Sequence, residues 1–438
     1  MAGVKIPPEL FMNTFAPRIL TLTLLLSFSL SGAHAQTAAP APSKPAPPPI
    51  NARQTQEMVT RVLRETSALR QLATKRSVKS AVTSRAQVEK MLRGRVKTEL
   101  LSDELLATEL MMRQVGIVPA HFELENTYIA MMGEQIAGYY DSKTKVFTTT
   151  DRVALGELET VMAHELTHAL QDQHFDLSRL EKWPSHDSDA RLAFASLVEG
   201  DATLVMSRYM TSNPLRFLGV LVSSLKSQSA AQTFTQAPRV LRDSITFPYL
   251  SGLDFATKLH RRGGWAEVSR AFGRPPQSTE QILHFEKYLA REAPQKVEFR
   301  DLSAVLGKGW KLLDHDVNGE FGLFLTVAEP LGDDNIARNA AAGWAGDRFS
   351  VYRGPKNAVL IVQDCRFDTL RDAQEWQSAY ARTASRRLKT SVRARGALRV
   401  WSAGSKGVWM EQLGQRVLIL EGTVGAFNPT QILSKLRG

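Results

Sequence analysis

The stretch that most restricts this chain is Thr160–Asp172, which contains two histidines and no Gly or Pro. Such a run reads as an α-helix. In a helix, His164 and His168 sit four residues apart, so both imidazoles leave one face about a turn from each other. That spacing suits two nitrogens holding one Zn²⁺ at roughly 2.0–2.1 Å. Glu165, the next residue round the helix, can reach a water bound to the same ion and act as general base rather than ligand.

A catalytic zinc keeps three protein ligands and one open position, so a third ligand has to come from elsewhere. Residues 187–210 read as a second long helix with Glu199 in its middle, flanked by Leu197, Val198, Ala202 and Val205. A carboxylate in such apolar surroundings costs several kcal/mol unless a cation compensates it, and a zinc ion would. Glu199 follows His168 by 31 residues, enough for one helix to end, a loop to cross and a second helix to return. Asp172 and Asp201 are candidate acceptors for the outer N–H of a ligating histidine, which fixes its tautomer; a solvated surface role suits each equally well. His174 and His186 are the alternative ligands, but neither stands on the face of the histidine pair.

Zinc-assisted amide hydrolysis also needs a donor for the oxyanion of the tetrahedral intermediate. His284 and Tyr249 are the candidates, with Tyr139 and Tyr140 behind them. Glu280 and His284, four apart, offer a weaker option for a second metal.

The N-terminus carries an address. Residues 19–30 are an apolar run behind Arg18, ending in Ala33-His-Ala35, which predicts a signal peptide (1–35) cleaved after Ala35. The run is too short for a comfortable transmembrane span, and no stable membrane anchor is expected after cleavage. The mature protein is expected in the periplasm or secreted. Residues 36–52 then read as a Pro/Ala-rich linker.

Net charge is +11, but the basic residues are spread out, without a long run or a nucleic-acid motif, so no nucleic-acid partner is expected. The single cysteine, Cys365, excludes an internal disulfide and a multi-cysteine zinc site.

Along the chain, residues 53–72, 84–99 and 102–115 are amphipathic with helical spacing, and a short helix is expected over 122–132. Residues 135–141 and 145–150 read as a β-hairpin whose outer strand could pair with an extended peptide, or serve as an ordinary sheet edge. Residues 215–225 are strongly apolar and read as a core helix. Phe247–Gly252 reads as a breaker-rich turn before a helix at 253–260, and Ser278 or Thr279 caps a further helix. From about residue 340, strands at 349–352, 359–364, 398–403, 408–412 and 417–422 with a helix at 368–381 predict a small domain. The fold class is therefore α+β: a mainly helical core (53–339) with a small edge-strand hairpin, and a C-terminal α+β domain (340–438).

The run His164–Ala169, with Asp172 four residues beyond the second histidine, resembles the zinc helix of thermolysin-type gluzincins. Glu199-Gly-Asp-Ala202 resembles the glutamate-bearing second helix of that clan. The resemblance covers about fifty residues. It implies a zincin-like metallopeptidase core holding one Zn²⁺ through His164, His168 and Glu199, with Glu165 as base and a peptide or protein as substrate. The chain departs from that pattern in a longer gap to the glutamate and in Thr203, where a helical acid is expected, with Asp201 a substitute. Residues 137–141, 247–249, 278–284 and 343–347 extend the resemblance to uncharacterised exported bacterial H-E-x-x-H proteins. Two other functions fit the same residues: a binding or scaffold protein of the cell envelope without turnover, and a zinc hydrolase of non-protein amide or ester bonds, because the motif specifies metal chemistry and not substrate.

Overall fold

The computed structural model describes residues 21–24, 51–99, 102–150, 155–178, 186–214 and 231–437. The expected cleavage site at 33–35, residues 36–50 of the expected 36–52 linker and the apolar run at 215–225 lie outside the described residues, whereas Asn51 and Ala52 of that linker cap and open a helix. No described helix is long and apolar enough to cross a membrane.

The N-terminal part runs β1 (Thr21–Leu24), α1 (Ala52–Arg70), β2 (Lys79–Thr83), α2 (Arg85–Glu99), α3 (Ser102–Gln114), α4 (Leu124–Gln135), β3 (Ile136–Asp141) and β4 (Val146–Thr150). Asn51 starts α1 through a reciprocal cap, accepting from the Gln54 amide while the Gln54 side chain accepts from the Asn51 N–H. The expected hairpin is present: β3 and β4 pair antiparallel, with Lys145 in the left-handed region at the turn. It belongs to a four-stranded sheet ordered β1-β3-β4-β2. Strand β2, parallel to β4, is not foreshadowed by the sequence. Its five residues are half-exposed and too few to show a period of two.

Helix α5 (Leu155–Phe175) carries the two histidines and packs on β3, α1 and α6 (Ser188–Thr211). Leu158, Val161, Met162, Leu166 and Leu170 are all fully buried around its circumference. A helix that is apolar on every side must be enclosed, and the small sheet, α1 and α6 enclose it. Asp187 caps α6, accepting from the Ala190 N–H.

Next come α7 (Ala231–Gln236), α8 (Arg239–Gly273), α9 (Thr279–Leu283), α10 (Phe285–Ala290) and α11 (Ser303–Leu306). Phe247–Gly252 is not a turn: it lies inside α8, with Pro248 in the helix. Proline removes one backbone hydrogen bond, and burial of Ile245, Phe247, Phe255, Ala256 and Leu259 on the same helix outweighs that loss. The irregularity comes later, at Gly263 and Gly264, where Gly264 has φ of 63°. Helices α6 and α8 cross backbone to backbone at Gly200 and Gly252. As expected, Ser278 caps α9, accepting from the Gln281 N–H.

The C-terminal part comprises β5 (Lys311–Asp316), α12 (Gly319–Leu331), α13 (Asp334–Ala341), β6 (Trp344–Arg353), β7 (Val359–Phe367), α14 (Leu370–Leu388), β8 (Arg393–Arg395), β9 (Leu398–Ala403), β10 (Lys406–Leu413), β11 (Arg416–Thr423) and α15 (Pro429–Arg437). Its strands form an antiparallel sheet ordered β5-β6-β7-β11-β10-β9-β8. The sheet thus begins at Lys311, upstream of residue 340. Helix α14 covers one face, with Trp376 and Tyr380 fully buried, and α15 covers the other with Ile432 and Leu433. The core of the first face runs without interruption into the core between α6 and α8. The architecture is α+β.

Candidate metal centre

His164 and His168 project from one face of α5, and Glu199 meets them from the middle of α6. His164 Nε2 lies 3.0 Å from Glu199 Oε2, His168 Nε2 lies 3.5 Å from the same oxygen, and the two Nε2 atoms are 2.9 Å apart. A tetrahedral zinc with ordinary bond lengths spaces its donors about 3.3–3.5 Å apart, so a shift of a few tenths of an ångström separates this cluster from a zinc site. All three side chains are at most 2% exposed. Two imidazoles and a carboxylate, the harder and borderline donors that zinc accepts, converge here without a thiol.

The three groups shift one another electrostatically. Burial lowers the pKa of His164. Burial opposes charge on His168 too, but Glu199 and Glu165 outweigh it and raise its pKa. Burial would raise Glu199, yet the two imidazoles hold its carboxyl at about 2. A buried carboxylate that stays ionised beside two histidines is a site that favours positive charge.

Glu165 is fully buried beside the cluster, and its Oε2 accepts the backbone N–H of Tyr140 on β3 at 2.8 Å. Strand β3 therefore orients the acid that follows the first histidine. Tyr249, on α8, stacks on the His164 ring with centroids 5.9 Å and planes 30° apart. Burial and the carboxylates of Glu199 and Glu165 push its phenol well above the ordinary value, and its hydroxyl hydrogen-bonds to Glu199. A neutral phenol at this position is a hydrogen-bond donor.

The other sequence candidates fall elsewhere. His284 pairs with Glu320 Oε1 at 2.9 Å where α9 meets α12, and that bond raises its pKa. Asp172 accepts from the Tyr140 hydroxyl at 2.9 Å and from Lys145 Nζ at 2.5 Å, tying α5 to the hairpin. Asp201 is fully buried and accepts from Arg70 Nε at 2.6 Å and from Gln171 Nε2 at 2.9 Å. It meets the histidines only through Gln171, whose Oε1 lies 2.7 Å from His168 Nδ1. His174 bonds to the Ala73 carbonyl, and His186 stacks on His315 with centroids 4.0 Å apart. Glu280 gathers with Glu292 and Asp368 rather than His284, and the Lys287 ammonium sits among them at 2.7 Å from each. That cluster has its cation already.

Sequence reasoning misses Gln171, Arg70 and the Tyr140 amide. Gln171 is legible in principle, being three residues beyond His168 on the same face. Arg70 and the Tyr140 N–H carry no local signal.

Residues 310–429, from β5 to the start of α15, match a family described as a domain of unknown function (DUF8575). The match covers the C-terminal sheet and contains none of the residues of the metal cluster. No curated protein matches the chain. A crystal structure from Chloroflexus aurantiacus, described as a candidate hydrolase with a novel fold, is similar over 56% of this chain and 92% of that one, at 13% identity and a TM-score of 0.35. An overlap this loose transfers neither fold nor chemistry.

Proposed function

We propose that the chain is a zinc-dependent peptidase in which His164, His168 and Glu199 hold the metal. The observation that carries this reading is the convergence of their three donor atoms in the buried interior with Glu165 alongside. Zinc bound there would supply Lewis acidity toward a scissile carbonyl and toward water. Glu165, oriented by the Tyr140 amide, takes a proton at its carboxylate and delivers it to the departing amine. Tyr249 offers its hydroxyl to the oxygen on which negative charge grows. For the substrate, β3 supports an extended peptide: Thr21–Leu24, which cleavage after Ala35 would remove, pairs antiparallel with it, Thr21 opposite Tyr140, and β1 packs on α5. The expected signal peptide makes this an exported enzyme.

The test combines metal analysis of purified protein with digestion of a peptide library by wild type and Glu165→Gln. The expected result is one zinc per chain in both and cleavage by wild type alone. Zinc in both, with every peptide left intact by wild type, would move the protein to the scaffold or non-protein substrate class. Zinc content unchanged in His164→Ala would refute the ligand assignment.

A further inference from the structure

We infer that Gln171, oriented by the Arg70–Asp201 ion pair, selects the tautomer of His168 that leaves Nε2 for the metal, which makes Arg70 of α1 a positioning residue for a centre on α5. This rests on the reading that His164, His168 and Glu199 hold zinc.

The chain of bonds has one polarity. Gln171 Nε2 faces two acceptors, the Val198 carbonyl at 3.0 Å and Asp201 Oδ2 at 2.9 Å. An amide nitrogen only donates, so the other end of the Gln171 side chain, 2.7 Å from His168 Nδ1, has to be the oxygen. His168 therefore carries its proton on Nδ1 and presents a lone pair at Nε2, the atom 3.5 Å from Glu199 and 2.9 Å from His164 Nε2. The polarity begins at Asp201, which is acceptor-only as a carboxylate. Arg70 Nε donates to its other oxygen at 2.6 Å, and both side chains are fully buried. Arg70 is itself fixed by α8: its Nη1 lies 3.2 Å from Ser269 Oγ, and its guanidinium sits 4.8 Å from the Trp265 ring centre. His168, Gln171, Asp201 and Arg70 are all at 0% exposure, so water does not compete for these bonds.

A buried ion pair is weak evidence for stability, because two well-packed apolar residues often do as well. Its direction is the informative part, since the pair ends on the outer nitrogen of one metal ligand. The support is one-sided. His164 Nδ1 is buried without a hydrogen-bond partner among the described residues, and so is the hydroxyl of Thr203, four residues beyond Glu199 on α6.

The test exploits amide flipping. In Asp201→Asn, the new amide oxygen keeps Arg70 Nε and the amide nitrogen faces Gln171, which then turns its oxygen toward residue 201 and its nitrogen toward His168, giving up its bond to the Val198 carbonyl. That arrangement favours a proton on Nε2 and blocks ligation. Adding Gln171→Glu to the Asp201→Asn background puts an oxygen toward both residue 201 and His168 Nδ1 and so restores the Nδ1–H tautomer. Zinc affinity is measured by competition with a chromophoric chelator, with urea unfolding of each metal-free form as the control for folding. The expected result is a 10–100-fold weaker Kd in Asp201→Asn, and recovery to within about threefold of wild type in the double variant. Arg70→Lys, which keeps the charge but not the aligned Nε–H, is expected to weaken binding in between. An unchanged Kd in Asp201→Asn, or a double variant as weak as the single one at equal metal-free stability, would overturn the inference while the zinc reading stands. Wild type without zinc affinity would overturn both.

Discussion

Gly200 and Gly252 touch through their backbones: a Cβ on Gly200 would stand 2.0 Å from the Gly252 carbonyl oxygen, and one on Gly252 would stand 2.2 Å from the Ser196 carbonyl oxygen. Gly200 follows the proposed ligand Glu199 directly, and Tyr249 is three residues before Gly252. The contact that brings α8 against α6 therefore also brings the phenol over His164. Gly200→Ala should force the helices apart by roughly an ångström and cost about 2–4 kcal/mol, read from urea unfolding. Gly94, exposed on α2 with nothing near its would-be Cβ, is the control. Gly94→Ala should stabilise by about 0.5–1 kcal/mol.

Tyr249→Phe keeps the ring that stacks on His164 and removes the hydroxyl. Turnover of a peptide substrate should fall by roughly 10²–10³-fold, with zinc content unchanged. His284→Gln should leave turnover per folded molecule close to wild type, because His284 lies where α9 meets α12, bonded to Glu320, whereas Tyr249 stacks on His164. A loss in His284→Gln as large as in Tyr249→Phe would reverse the two assignments.

Asp316 is buried at the end of β5, accepting from the Ser188 and Val317 amides, and burial with the neighbouring Asp314 carboxylate raises its carboxyl to about 7. Its native pKa lies above the unfolded value near 4, so the folded state holds the proton longer. The protonated carboxyl contributes fully below about pH 4. That contribution is lost as pH rises toward 7, and above 7 the native state carries the whole cost of a buried carboxylate. Asp316→Asn cannot ionise, so its stability relative to wild type should rise between pH 5 and pH 8. Urea midpoints at the two pH values decide it, and a constant difference would disprove the assignment.

Lys287→Met removes the cation from Glu280, Glu292 and Asp368. Glu280 is almost fully buried and already raised to about 7, chiefly by its burial. Loss of its partner should cost about 2–3 kcal/mol at pH 8, and less at pH 5, where the carboxyl stays protonated. Glu280→Gln in the same background should recover part of the loss in thermal unfolding.

Chelation of a zinc-loaded sample should lower the melting temperature, and readdition should restore it. At free zinc a thousandfold above Kd the expected stabilisation is about 4 kcal/mol. His164→Ala should show no response to zinc.

Most of the elements are legible in the sequence because they are periodic or punctuated. The helices of α1 to α3, the β3–β4 hairpin, the Ser278 cap and strands β6, β7, β9, β10 and β11 follow from spacing and turn residues, whereas the short β8 does not. Phe247–Gly252 reads wrongly as a turn because Pro and Gly are stops only locally, whereas neighbours on α8 decide the matter through burial. Strand β2 is invisible because half-exposed residues keep no alternation. At the site, His164, Glu165 and His168 share one helix, so their relation is local, and Glu199 stands out because an acid in an apolar run demands a cation. Sequence reasoning puts Asp201 one bond too close to the histidines, since nothing local to residue 201 announces that Gln171 stands between. Arg70 lies 131 residues before Asp201, a separation across which only the fold can establish a contact.

The bond from the Tyr140 N–H to Glu165 has an evolutionary consequence. Its donor belongs to the main chain, so every residue except proline supplies it. At position 140 the main-chain donor to Glu165 does not depend on the side chain, proline excepted. The tyrosine side chain is under a different constraint, its bond to Asp172. Substitution at one position thus separates two duties: Tyr140→Phe removes one of the two side-chain bonds from the hairpin to Asp172, whereas Tyr140→Pro removes the N–H that Glu165 accepts.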